Sequence, residues 1–156
     1  MSYRLAVILR YALIGCDLRL VRDAHIVFED GLIAEIGLGK PSFVDEVHEC
    51  EDCIAIPGLV NCHVHMLHAA FKDKIDFTGG NAVSKVRSVK KSVLSSALRD
   101  EIFNAIRDTA CFMLKTGTTT ILDFVEGGAE KVNLVYDALK CMPISFMLLT
   151  EPNHEF

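Results

Sequence analysis

The chain has 156 residues, 51% of them hydrophobic and 24% charged, a composition that excludes a disordered protein and suits one compact domain or two small ones. Sixteen Lys and Arg against twenty-one Asp and Glu leave a net charge of −5, and the basic run Lys85-Val-Arg-Ser-Val-Lys-Lys91 reads as a solvated loop, which disfavours nucleic-acid binding. Arg10 interrupts the apolar run over 5–14, no clean cleavage site follows it, and nothing approaches the ~18–20 uninterrupted apolar residues of a membrane span, so a cytoplasmic location is expected.

In chain order, short β-type runs come first: Leu5–Ile14, Leu18–Leu20, Ala24–Glu29, Leu32–Gly37 and Cys53–Ile56. Glu29-Asp-Gly31 is a hairpin signal, because Asp-Gly tolerates the φ > 0 positions of a tight turn. Residues 1–56 therefore form a β-rich portion, and the character changes at Pro57-Gly58, where a second region over 57–156 begins. There the pattern becomes strand, helix, strand, helix, strand. Leu59–Cys62 is a strand, and a linker containing Thr78-Gly-Gly-Asn81 follows, long enough for a lid or substrate loop. Leu98–Lys115 places Ile102, Ile106, Thr109 and Met113 on one helical face, with Asp100 and Glu101 at its start and Gly117 as its stop. Thr118–Val125 is a β-branched strand, Ala129–Lys140 a helix, and Pro143–Leu149 a third strand. Two successive strand–helix–strand units imply a parallel sheet with right-handed crossovers.

The six cysteines lack the regular spacing of a disulfide scaffold. Cys50-Glu-Asp-Cys53 admits a redox pair or half a zinc site, but no second matching pair exists, so the spacing favours two thiols flanking a turn between strands. The chemistry-bearing segment is Pro57-Gly-Leu-Val-Asn-Cys-His63-Val-His65. On a strand, His63 and His65 share a face, with Cα atoms about 7 Å apart. Two neutral imidazoles so placed can converge on one divalent cation at about 2.0–2.1 Å.

That segment resembles the metal-binding signature of the amidohydrolase superfamily. Val27–Gly37 is similar to the family's N-terminal β-hairpin, and Leu114-Lys-Thr-Gly-Thr-Thr-Thr-Ile-Leu-Asp123 to the helix end and second barrel strand of its cytosine deaminase and chlorohydrolase-like branch. Asp123-Phe-Val-Glu-Gly-Gly128 further resembles archaeal members of that branch. The resemblance implies an α/β fold: about three of the eight units of a (β/α)8 barrel, which needs some 250 residues when whole, preceded by strands of a small β-sandwich. The family's later ligands, a histidine on the fifth strand and an aspartate on the eighth, lie on strands with no counterpart here. The chain thus reads as a fragment that by itself is inactive or only metal-binding. It is alternatively the N-terminal subunit of a split hydrolase, or a remnant retained for oligomerisation or binding.

In a complete site, His63 and His65 are expected to hold Zn²⁺ or Fe²⁺, held weakly by two ligands alone, and the metal lowers the pKa of bound water to about 7. The hydroxide then attacks a non-peptide C–N carbon. Three residues are expected near substrate. His68 either approaches the same cation or starts a helix. Asp123 closes the second strand, facing the site or accepting backbone N–H groups. Glu126-Gly-Gly128 shapes a loop, the glycines serving the turn. Asn61 orients the site or satisfies backbone; Glu151 is a weaker candidate, His154 lines the barrel mouth or frays, and His25 and His48 are surface residues. Open apolar strand edges such as Ile144–Leu149 are expected to recruit a second copy or a complementary chain supplying the missing strands. A small-molecule substrate is expected only once the site is complemented.

Overall fold

A computed structural model describes residues 2–75, 78 and 80–150. The chain divides into two compact units, Met1–Pro57 and Gly58–Phe156.

The first unit is a four-stranded sheet in the order β3-β2-β1-β4, built from β1 (Arg4–Ile14), β2 (Arg19–Glu29), β3 (Leu32–Leu38) and β4 (Glu46–Ala55). The runs Leu18–Leu20 and Ala24–Glu29 join into the single strand β2, because β1 pairs antiparallel along its whole length from Arg4↔Glu29 to Ile14↔Arg19. Asp30 and Gly31, at φ 51° and 78°, make the expected tight turn between Glu29 and its partner Leu32. β4 runs parallel to β1, and its register breaks between Leu9↔Cys50 and Tyr11↔Ile54. That irregularity corrects the turn expected between Cys50 and Cys53. Both residues lie inside β4, where the bulged backbone brings their Cα atoms to 5.3 Å and the two sulfurs are joined as a disulfide. An extended strand holds residues three apart at about 10 Å, too far to bridge. His25 also departs from expectation: it is buried rather than superficial, its Nδ1 3.0 Å from the Gly39 carbonyl and its Nε2 3.1 Å from Glu35 Oε1.

The second unit carries a parallel sheet in the order β5-β6-β7, formed by β5 (Leu59–Val64), β6 (Thr118–Val125) and β7 (Ser145–Thr150). Two 3-10 turns (Met66–Ala70 and Lys72–Lys74) follow β5, then α1 (Ala82–Ser96) and α2 (Arg99–Lys115); α3 (Gly128–Leu139) links β6 to β7. α1 replaces the loop expected around the basic run. It starts at Asn81, whose Oδ1 accepts the N–H groups of Val83 and Ser84 at 2.9 and 3.2 Å. Asn81→Ala is expected to cost about 1 kcal/mol of stability, read as a lower urea midpoint at unchanged slope.

α2 and α3 cover one face of this sheet. Ile102, Ile106 and Ala110 form a stripe on α2 that packs with Ile121 and Val125 of β6, Leu134, Val135, Ala138 and Leu139 of α3, and Val64, Met66 and Leu67 at the end of β5. The opposite face exposes Leu59, Met147 and Leu149 and carries the histidines. Among the described residues β5 and β7 each have a hydrogen-bonded neighbour on one side only. None of the described helices is long and apolar enough to cross a membrane.

Candidate metal centre

The site grows from side-chain parity along two adjacent strands. On β5, Val64 points into the core beneath the helices, so His63 and His65 take the other face. On β6, Ile121, Asp123 and Val125 are buried on the helix side, which leaves Thr120, Leu122 and Phe124 beside the histidines.

His63 Nε2 and His65 Nε2 stand 3.2 Å apart. Two nitrogens bound to one tetrahedral cation at 2.0–2.1 Å are separated by about 3.3–3.4 Å, so the pair already has nearly the bite of a chelate. His65 Nδ1 lies 3.0 Å from the carbonyl oxygen of Phe124. A carbonyl only accepts, so Nδ1 carries the hydrogen and Nε2 keeps its lone pair, the tautomer a metal ligand needs. A proton on His63 Nε2 or a shared cation satisfies the contact between the rings, and either leaves both nitrogens aimed at one point. Asn61 Oδ1 accepts the His63 N–H at 3.1 Å, which fixes the backbone at the strand end. The donor set suits a borderline cation such as zinc, but among the described residues no group of three or more His, Cys, Asp or Glu converges on a metal position. Two convergent imidazole nitrogens are half of what a tetrahedral cation takes.

The three residues expected near substrate, His68, Asp123 and Glu126, each sit against another side chain or the backbone. His68 stacks on His65, ring centroids 4.7 Å apart at 15°, and packs against Phe71 at 4.8 Å. Burial, with smaller contributions from His65 and Lys90, pushes its pKa down to about 4, so the ring is neutral near pH 7. Asp123 is 0% exposed, and its Oδ1 accepts the Met66 N–H at 3.0 Å. Strand parity turns this carboxylate toward the helix layer rather than the histidines, and it serves the backbone immediately after His65. Burial raises its pKa, opposed by the Met66 N–H and His65, and among the described residues its Oδ2 has no hydrogen-bond partner. Glu126 is engaged by Lys90 of α1, an ion pair that ties the loop after β6 to that helix. Gly127 and Gly128, at φ 95° and 74°, serve the turn into α3. Glu151 and His154 lie outside the described residues.

Phe124 was not singled out by sequence. Its ring lies 4.5 Å from that of His63 at 30°, while its carbonyl holds His65. Counting alternate residues back from the end of β6 was the available signal.

No family model matches the chain. It is 28% identical over 129 residues to an aminohydrolase-assigned protein of Methanothermobacter thermautotrophicus, covering 80% of this chain and 33% of that one. It is 33% identical over 91 residues to the imidazolonepropionase of Sphingopyxis alaskensis, covering 49% and 23%. Among solved structures, the zinc-complexed atrazine chlorohydrolase of Arthrobacter aurescens TC1 superposes with a TM-score of 0.80 at 19% identity, over 94% of this chain and 35% of that one. The chain spans a quarter to a third of the length of the relatives it matches. Over that span it is similar in sequence to the aminohydrolase and imidazolonepropionase relatives, and its fold is that of the corresponding third of the chlorohydrolase.

Proposed function

We propose that this chain provides the first metal-binding strand of a metal-dependent hydrolase acting on non-peptide C–N bonds, of the amidohydrolase type. The observation that carries the reading is the 3.2 Å approach of His63 Nε2 to His65 Nε2, with the tautomer of His65 set by the Phe124 carbonyl. The aminohydrolase and imidazolonepropionase relatives and the zinc in the chlorohydrolase structure support it. A bound divalent cation supplies Lewis acidity and a water that ionises near pH 7. The chain's own part is to hold that cation: His63 and His65 donate to it, Asn61 and Phe124 fix their backbone and tautomer, and Asp123 secures the turn that follows.

Two ligands leave a tetrahedral site half built. In this reading the chain turns over substrate only when further strands complete the sheet and bring the remaining ligands. The one-sided pairing of β5 and β7 and the exposed Met147 and Leu149 mark the edges at which such strands dock in this reading. By itself the chain binds metal weakly.

The test is metal stoichiometry. The purified chain, stripped with chelator and titrated with Zn²⁺, is expected to take up about one equivalent, and His63→Ala or His65→Ala to weaken uptake at least about tenfold. Less than a tenth of an equivalent of bound metal, unchanged by His63→Ala, overturns the reading.

A further inference from the structure

We propose that His68 and Phe124 are positioning residues that clamp the two imidazoles in chelating geometry, His68 as a ring platform and not as a third ligand. The inference rests on the metal-binding reading above and concerns how this chain builds that half-site.

Five rings touch in succession, and the first of them, Phe124, also lies 6.1 Å from His65. Phe124 lies 4.5 Å from His63, His63 meets His65 edge-on at 5.2 Å and 67°, His65 stacks on His68 at 4.7 Å and 15°, and His68 meets Phe71 at 4.8 Å. The far end is anchored, because Phe71 is almost wholly buried. The two angles separate the roles. His63 and His65 are turned so that their Nε2 atoms converge, as ligands of one cation must be. His68 lies nearly parallel to His65 and presents a ring face to it, and among the described residues no third donor converges with the pair. Each ligand imidazole has two rotatable bonds that must be fixed before both nitrogens aim at one point. The neighbouring rings fix them by contact: Phe124 backs His63 with its ring and His65 with its carbonyl, and His68 covers His65. Partners that orient metal ligands in this way commonly change affinity 10–100-fold when removed.

The experiment is Zn²⁺ titration of the intact chain against a chromophoric chelator, with urea unfolding of every variant and ¹H–¹⁵N spectra of the imidazoles. His68→Phe keeps a ring and removes both nitrogens. It is expected to bind Zn²⁺ within about threefold of the parent, whereas His68→Ala weakens binding about 10–100-fold. Phe124→Leu keeps the apolar volume but not the ring; it is expected to weaken Zn²⁺ binding about tenfold or more at an unchanged urea midpoint, and to shift the His63 ring resonances. Phe124→Tyr is expected to restore both. If His68→Phe loses as much affinity as His68→Ala, His68 is a ligand and the proposal is overturned. It is equally overturned if His68→Ala and Phe124→Leu bind like the parent while His63→Ala does not, an outcome that leaves the metal-binding reading intact. If His63→Ala also binds like the parent, both readings fall together.

Discussion

Ile106→Ala is expected to lower the unfolding free energy of the chain by about 2–5 kcal/mol, and Phe112→Ala, six residues further along the same helix, by no more than about 0.5 kcal/mol. Both substitutions shorten a large apolar side chain on α2, and only their faces differ. Ile106 is 0% exposed, between Ile102 and Ala110 in the stripe that meets β6 and α3, whereas Phe112 is 66% exposed. Removing three carbons from Ile106 forfeits about 0.8 kcal/mol for each in transfer alone, and the unfilled cavity adds to that. Urea unfolding at constant slope measures the difference. Equal costs at the two positions would mean that α2 is rotated from the orientation described. The histidines occupy the other face of the sheet, so the Ile106→Ala chain is expected to keep its Zn²⁺ affinity wherever it is still folded.

Elements that declare themselves locally were legible in the sequence. The β-branched run of β6, the apolar period of α2 and the Asp30-Gly31 turn each carry their signal within a few residues. α1 did not, because Lys85, Arg87, Lys90 and Lys91 dominate its polar positions and mask the helical spacing of Val86, Val89 and Val93; Val83 is 61% exposed and Val93 is buried. Such a segment reads as a solvated loop, and the overlooked sign was Asn81, a side chain suited to cap the turn that follows it. The histidine pair was legible because alternation along a single strand suffices to put both rings on one face. Their supports were not. The contacts of Phe124 and His68 depend on how β6 lies beside β5 and on a 3-10 turn, and the union of Cys50 with Cys53 depends on a register break against β1. Asp123 marks the boundary between the two kinds of information. Its position at the strand end was readable, but its direction required the parity of β6 to be set by Ile121 and Val125 in the core.

That direction yields the second large effect. Asp123→Ala is expected to destabilise the chain by about 1–3 kcal/mol, because the buried Met66 N–H loses its acceptor, and Asp123→Asn to recover most of the loss, because an amide oxygen can take the place of Oδ1. The pH dependence carries a sign. Burial raises the folded-state pKa of Asp123 above its unfolded value, so the folded chain holds this proton more tightly. The contribution is fully present below the unfolded pKa and is lost as pH rises through the raised folded value. Asp123→Asn cannot ionise and lacks that loss. The stability of the parent minus that of Asp123→Asn, from urea unfolding across the acid-to-neutral range, is therefore expected to decline as pH rises. A carboxylate facing two imidazoles and their cation would have its pKa lowered, and the difference would climb with pH instead. The slope of that one curve decides whether Asp123 braces the site from the helix side or takes part in it.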